Sequence, residues 1–172
     1  MKKALFFSIS FLLFELVSVL MPMPSLAVGT FTDEAELPQI EFANDREFRI
    51  FHLKSFLMKN NSPLAEHAEL LVKTAEEEGL PWSLVAAISG IESSFCKAIP
   101  YQSYNCWGWN NGVSRFTDYP DAIKIVSQTL KHNYFDRGLD TPEKISPVYA
   151  PPSQTWASKV RYFMNLIENS YE

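Results

Sequence analysis

The chain has 172 residues, of which 47% are hydrophobic and 20% charged, and its formal net charge is −5 at pH 7. This size and composition predict one globular domain with a short additional segment. The acidic balance, without a visible basic patch, excludes nucleic acid as an expected partner, and an anionic polymer would have to be bound by a shaped groove rather than by bulk charge.

The N-terminus, residues 1–27, is typical of an export signal. Two lysines follow the first methionine, and residues 4–14 form an apolar run of the length found in signal peptides. Small residues precede a cleavage position that we expect after Ala27. Glu15 makes a membrane-spanning helix unfavourable, and the alternative is an N-terminal anchor that is not cleaved.

The next segment, residues 28–44, is acidic and has no helical period, so we expect a flexible linker. One domain is expected over residues 45–172. Its first helix should run from residue 45 to about Lys59, because apolar residues recur there at helical spacing. Two asparagines then interrupt the pattern.

A serine followed by a proline at residues 62 and 63 predicts the start of a second helix, with the serine as N-cap. This helix is expected to reach Glu78, and Gly79 is suited to the position after a helix end. A third helix is expected from Trp82 to about Ser93. It is apolar on nearly every face, which predicts that other helices surround it.

Glu92 is the one acidic residue in the last turn of this third helix. Burial and the negative end of the helix dipole would both favour its protonated form. A carboxyl group that stays protonated near neutral pH is what general acid catalysis of sugar cleavage requires. The alternative is a solvated glutamate at a helix end.

Residues 96–115 form a predicted loop that contains no acidic residue and is rich in Asn, Tyr, Ser and Trp. Its aromatic side chains offer flat faces for pyranose rings. A fourth helix is expected to begin at Tyr119 and to stop near residues 132–134. Asp118 precedes this helix, and we expect it to be a helix cap rather than a second catalytic carboxylate.

Two shorter predictions complete the chain. A Thr-Pro-Glu start at residue 141 predicts a short helix that ends before Pro147. Two prolines and Ser153 predict a stop and then a cap for the last helix. No segment is typical of a strand, so the expected fold class is all-α, an orthogonal helical bundle around a buried central helix.

Four short motifs carry a resemblance to a known superfamily. Residues 92–95, Glu-Ser-Ser-Phe, resemble the E-S-x-F motif of soluble lytic transglycosylases, and residues 105–109 resemble the N-x-[FW]-G motif of the lysozyme-like superfamily. Residues 116–119 and Tyr149-Ala150 resemble later markers of its bacterial endo-β-N-acetylglucosaminidase branch. The resemblance implies a lysozyme-like fold with a reduced second lobe, acting on peptidoglycan in the periplasm or at the cell wall.

The resemblance also implies a set of site residues. Glu92 would be the catalytic acid, and the amide of Asn105 would both donate to and accept from an N-acetyl group. For Ser94, a hydrogen bond to the helix backbone is the alternative, and for each tryptophan it is core packing. The implied substrate-binding residues are Ser94, Tyr101, Asn105, Trp107, Trp109 and Tyr149.

Cys96 and Cys106 stand where the family usually has small residues, and this pair of departures predicts a disulfide. The alternative is two free, buried thiols. The three histidines are scattered along the chain, so no metal is expected, and nothing indicates a cofactor.

The single acid favours lytic transglycosylation at the muramic acid–glucosamine linkage. In that reaction Glu92 protonates the glycosidic oxygen and the 6-hydroxyl of muramic acid replaces water as nucleophile. The first alternative is an endo-β-N-acetylglucosaminidase that uses water, and the second is a glycan-binding module without activity. We expect a monomer whose partner is the peptidoglycan glycan strand, and which touches a membrane only if residues 1–27 are not cleaved.

Overall fold

The computed structural model describes residues 45–169. The predicted export signal and linker, residues 1–44, lie outside that range. Within it the chain forms six α-helices and no strand, which confirms the all-α class. No helix in these residues is long and apolar enough to cross a membrane.

The helices follow one another with short connections, apart from one long loop between the third and fourth. Two 3₁₀ turns, Pro63–His67 and Phe135–Arg137, precede the second helix and follow the fourth. The helices are α1 (Asp45–Lys59), α2 (Ala68–Glu77), α3 (Leu84–Ser93), α4 (Tyr119–Asn133), α5 (Pro142–Tyr149) and α6 (Trp156–Glu168).

The second predicted helix is interrupted. Its first five residues form the 3₁₀ turn, and α2 begins only at Ala68. The predicted N-cap is present, since the hydroxyl oxygen of Ser62 accepts a hydrogen bond from the backbone N–H of Leu64 at 3.1 Å. The same hydroxyl donates to the carbonyl of Phe95 at 2.9 Å. Ser62 therefore caps the turn and also connects it, by a hydrogen bond, to the segment that follows α3.

The central helix is α3, whose first seven residues are all buried. It packs chiefly against α6, with α2 and α4 as further neighbours. Gly90 lies where the ring of Phe95 folds back over the helix, and a Cβ there would come within 2.6 Å of that ring. The expected burial of this helix is thus confirmed. The absence of a side chain at Gly90 leaves space for the ring of Phe95 to pack against the helix.

Three predicted helix boundaries are wrong. The third helix begins at Leu84, and Trp82 lies in the turn before it. The fifth helix continues through Pro147 to Tyr149, because a proline removes only one helical hydrogen bond and the buried side chain of Ile145 holds the helix to the core.

The last helix begins at Trp156, with Thr155 rather than Ser153 at the N-cap position. Ser153 belongs to a turn in which its N–H donates to the carbonyl of Ala150.

Candidate functional site

The chain reverses direction sharply where α3 ends. Ser94, Phe95 and Cys96 have φ values of 52°, 58° and 67°, which places three consecutive residues in the left-handed region. For residues other than glycine this conformation costs about 1–2 kcal/mol each. Hydrogen bonds offset part of that cost, including one from the N–H of Cys96 to the hydroxyl of Ser93 at 2.9 Å. The long loop therefore starts beside Glu92 and passes back along the helix end.

The structure joins Cys96 and Cys106 in the predicted disulfide, with Cα atoms 4.7 Å apart. Both cysteines are buried. The hydroxyl of Ser93 donates to the carbonyl of Cys106 at 2.7 Å, next to the disulfide. The covalent bond and this hydrogen bond together hold the middle of the loop against the residue that follows Glu92.

Asn105 organises the next part of the loop. Its side chain is buried, and its Nδ2 donates to the carbonyls of Trp109 and Ser114 at 2.9 and 3.1 Å. Its Oδ1 accepts from the N–H of Trp109 at 2.9 Å. The amide that was expected to bind an N-acetyl group is therefore engaged within the protein, and Asn105 shapes the loop.

Trp107 points into the core. Its side chain is fully buried, and its indole N–H donates to the carbonyl of Val85 in α3 at 2.8 Å. Of the two alternatives for this tryptophan, the structure adopts core packing. Its own carbonyl stays available and accepts a hydrogen bond from the hydroxyl of Tyr149 at 2.6 Å.

Gly108 brings the loop into contact with the predicted acid. Its φ is +64°, and a Cβ at this position would lie 2.9 Å from Oε2 of Glu92. A side chain here would thus meet a carboxylate oxygen as well as backbone strain. Because Gly108 has no side chain, the loop backbone lies directly against the Glu92 carboxyl group.

The Glu92 carboxyl group is partly buried between this loop and α6. Its Oε1 accepts a hydrogen bond from the indole N–H of Trp156 at 2.7 Å. Burial raises the pKa of Glu92, and the Trp156 hydrogen bond lowers the pKa by a smaller amount. The net direction is upward, as a general acid requires.

An aromatic cluster adjoins this acid. The ring of Tyr149 stacks on Trp156 with centroids 4.9 Å apart. The ring of Trp109 contacts Tyr149 edge-on, with centroids 5.5 Å apart, and the Tyr134 centroid lies 6.1 Å from that of Tyr149. Burial, and then the nearby Glu92, raise the pKa of Tyr149 well above its usual value, so the phenol remains a hydrogen-bond donor.

A cleft of about 200 Å³ opens beside the cluster, and Gly108, which lines it, lies against Oε2 of Glu92. Its lining combines aromatic faces with side-chain amides, and none of the described residues that line it is a carboxylate. These residues are Trp107, Gly108, Trp109, Asn110, Asn111, Tyr134 and Tyr149.

Three predicted binding residues, Asn105, Tyr101 and Ser94, do not line this cleft. Tyr101 is 82% exposed, and its backbone carbonyl accepts a hydrogen bond from Arg115. Ser94 is exposed and forms the left-handed C-cap of α3. Of the predicted set, the structure therefore brings Trp109 and Tyr149 together with Glu92, and Trp107 contributes its backbone.

Asp118 is the helix cap that the sequence predicts. Its Oδ1 accepts from the N–H of Asp121 at 2.7 Å, and the carboxylate of Asp121 accepts from the N–H of Thr117 at 3.1 Å. The two carboxylates therefore satisfy backbone donors at the start of α4.

Two members of the site escaped the sequence analysis. Trp156, at the start of α6, and Tyr134, just after α4, were not among the predicted site residues. No local pattern marks either one, because Trp156 is 64 positions away from the carboxylate that it binds. Within residues 45–169, no group of three or more His, Cys, Asp or Glu side chains is arranged to hold a metal ion.

A larger groove, of about 780 Å³, lies between α1 and α6. Lys59 and Tyr162 are the titratable groups among the described residues that line it. No carboxylate is among the described residues that line either the groove or the smaller cleft, but Gly108 in the lining of the smaller cleft lies against Glu92. The smaller cleft is therefore the better candidate for chemistry.

Comparison of the chain with protein-family models, with characterised proteins and with solved structures finds no match.

Proposed function

We propose that this protein cleaves peptidoglycan glycan strands as a lytic transglycosylase, on a lysozyme-like orthogonal bundle with a reduced second lobe. One observation carries the proposal. Glu92 is a partly buried carboxyl group with a raised pKa, and its Oε2 lies against Gly108, which lines a cleft with aromatic and amide side chains. An acid placed in this way can donate a proton to a bound sugar.

The proposed reaction needs one carboxyl group. Glu92 donates its proton to the oxygen that links muramic acid to glucosamine, and the bond to C1 of muramic acid breaks. The resulting Glu92 carboxylate then takes the proton of the 6-hydroxyl of the same muramic acid as that oxygen bonds to C1. The product is a 1,6-anhydromuramoyl end, and Glu92 is protonated again.

Other features support this choice. Ordinary glycosidases use two carboxylates, whereas the described residues that line the cleft have none and Asp118 caps a helix. The disulfide fits an oxidising compartment outside the cytoplasm, where the predicted export signal of residues 1–27 would deliver the chain. Periplasmic or cell-wall location is part of the proposal.

Hydrolysis is the second candidate, favoured by one observation. The Tyr149-Ala150 pair resembles the marker of the glucosaminidase branch, and the Tyr149 phenol lies in the cluster beside Glu92. In that case a water molecule would attack the sugar in place of the 6-hydroxyl. The two reactions give products that differ in mass by one water molecule.

The decisive experiment compares wild-type protein with Glu92→Gln on purified sacculi. We expect anhydro muropeptides from the wild type and a loss of cleavage of at least about a hundredfold in the variant, because Gln cannot transfer the proton. Mass spectrometry of the soluble products reads both results. Glu69→Gln, an exposed position in α2, is the matched control and should cleave normally.

Each outcome has a distinct meaning. Products one water heavier would select the hydrolase. Binding to sacculi without any release by the wild type would select the non-catalytic glycan-binding module. Full activity of Glu92→Gln would remove this residue from the mechanism.

A further inference from the structure

We infer that Trp156 is the positioning residue of Glu92, and that its indole N–H assigns the acidic proton to Oε2, the carboxyl oxygen that faces Gly108. The catalytic meaning of this inference rests on the proposed function. Its physical content does not, because the proton position can be measured in a protein without activity.

The chemistry of the indole carries the first step. An indole N–H is a donor and never an acceptor, so Oε1 of Glu92 must supply a lone pair to Trp156 at 2.7 Å. In a protonated carboxyl group the carbonyl oxygen is the better acceptor. The hydrogen bond therefore favours the arrangement in which Oε1 is the carbonyl oxygen and Oε2 carries the proton.

The position of the other oxygen carries the second step. Oε2 is the atom that a Cβ on Gly108 would approach to 2.9 Å. Gly108 also lines the cleft, so Oε2 is the carboxyl oxygen that lies on the side of the cleft. A proton on Oε1 would instead point into the buried contact with α6.

Trp156 is itself held firmly. It is buried at the first position of α6, and its ring stacks on Tyr149 with an interplanar angle of 29°. The Tyr149 hydroxyl is anchored on the carbonyl of Trp107. The indole therefore has little freedom to turn away, and the carboxyl group of Glu92 takes its orientation from the packing of α5 and α6.

The groups that face Glu92 from each packed element are few. The loop contributes the backbone of Gly108, α5 contributes the neutral phenol of Tyr149, and α6 contributes Trp156. The phenol becomes charged only far above neutral pH, since its pKa is raised. Removal of the indole N–H should therefore act on Glu92 directly, raising its pKa because a lowering influence is lost.

The test uses nuclear magnetic resonance on the full-length protein with labelled Trp and Glu. The chain has four tryptophans, and Trp156→Phe identifies the indole signal of interest by its loss. In the wild type we expect this indole signal to titrate with the same midpoint as the side-chain carboxyl carbon of Glu92. Glu92→Gln should abolish the titration of the indole while leaving the signal in place.

The variants extend the test. Trp156→Phe should raise the titration midpoint of the Glu92 carboxyl carbon. Trp82→Phe, in the turn that precedes the helix of Glu92, α3, should leave that midpoint unchanged. In a cleavage assay Trp156→Phe should lower kcat by about tenfold or more through misorientation. It should also move the alkaline limb of the pH profile to higher pH, which a general loss of stability would not do.

An indole signal in the wild type that ignores the Glu92 titration would overturn the inference, and this result needs no Trp156 variant that folds. An unchanged Glu92 midpoint in folded Trp156→Phe would also overturn it. If wild-type protein shows the coupled titration but cleaves no glycan, the proposed reaction fails and the assignment of the proton stands.

Discussion

At the scale of single residues, Gly108 and Glu92 depend on each other. The glycine belongs to a recognisable motif, but only the fold places its bare Cα against a carboxylate oxygen. Gly112, in the same loop, also has a positive φ, of +79°, yet a Cβ there would meet nothing within 4 Å. Comparison of Gly108 with Gly112 therefore distinguishes the effect of a positive φ, which both glycines have, from the effect of the contact with Glu92, which only Gly108 has.

We therefore predict different outcomes for Gly108→Ala and Gly112→Ala. Both should lose about 1–2 kcal/mol of unfolding free energy, because alanine is strained in the left-handed region. Only Gly108→Ala should also displace the Glu92 carboxyl group and reduce glycan cleavage strongly. Chemical denaturation and the muropeptide assay measure the two effects, and equal activity of the two variants would show that the contact has no role.

At the scale of elements, the long loop between α3 and α4 is the most constrained part of the site. It contains no helix or strand in the structure. Its shape comes from the disulfide between Cys96 and Cys106, from the amide of Asn105 and from the left-handed turn that follows α3. These devices hold Gly108 in place without regular secondary structure.

Removal of the disulfide should loosen this loop. In Cys96→Ala/Cys106→Ala we expect a loss of about 2–3 kcal/mol of unfolding free energy from the closed-loop entropy alone. Cleavage should fall further than that loss of stability would explain, since Gly108 lies only two residues after Cys106. Denaturation of the double variant and of the wild type, each with and without reductant, provides the measurement.

In the same experiment, reductant should weaken the wild type and leave the double variant unchanged. Reaction of both wild-type thiols with an alkylating agent in the absence of reductant, detected by intact mass, would contradict the bond. The helices themselves should remain, because α3 is held by burial rather than by the disulfide.

At the scale of the whole molecule, burial of Glu92 links the proposed proton transfer to stability. Its pKa is raised above the ordinary value of 4.5 in the folded state. Below about pH 4.5 both folded and unfolded chains carry the protonated form, so this group adds no cost. As the pH rises to the folded pKa, the unfolded chain loses its proton first and stability falls, and above that pKa the cost is constant.

Glu92→Gln should consequently be more stable than the wild type at neutral pH, and the difference should vanish below about pH 4.5. The amide oxygen of Gln can still accept the indole hydrogen bond of Trp156, so the fold is retained. Thermal unfolding of both proteins across this pH range tests the prediction. A stability difference that does not depend on pH would mean that Glu92 does not titrate abnormally.

Burial of His52 gives folding stability the opposite pH dependence to burial of Glu92. Its pKa is lowered because burial disfavours the charged ring. The stability that this histidine contributes is therefore present above the unfolded value of 6.5 and is lost as the pH falls through that value toward the folded pKa. This dependence is shared by wild type and Glu92→Gln, so the comparison between them cancels it.

The local features of this chain were predictable because they depend on neighbours in sequence. The caps at Ser62 and Asp118 each bind a backbone N–H two or three residues away, and the apolar character of α3 reports its burial directly. The position of Glu92 at the end of that helix follows from the same kind of pattern, whereas the cysteine pair was predicted from two departures from the family that the chain resembles. Local patterns were therefore enough to predict the all-α class, most helix starts and the candidate acid.

The surroundings of the acid depend on the packing of the helices and were not predictable from local sequence. Trp156 and Tyr149 form hydrogen bonds over 64 and 42 positions, and Asn105 turns its amide inward to hold the loop. Such contacts depend on how α5 and α6 pack against α3, which no periodicity encodes. Local hydrogen bonds and hydrophobic spacing act within a few residues, whereas the environment of a catalytic proton is set by side chains that meet only after the helices assemble.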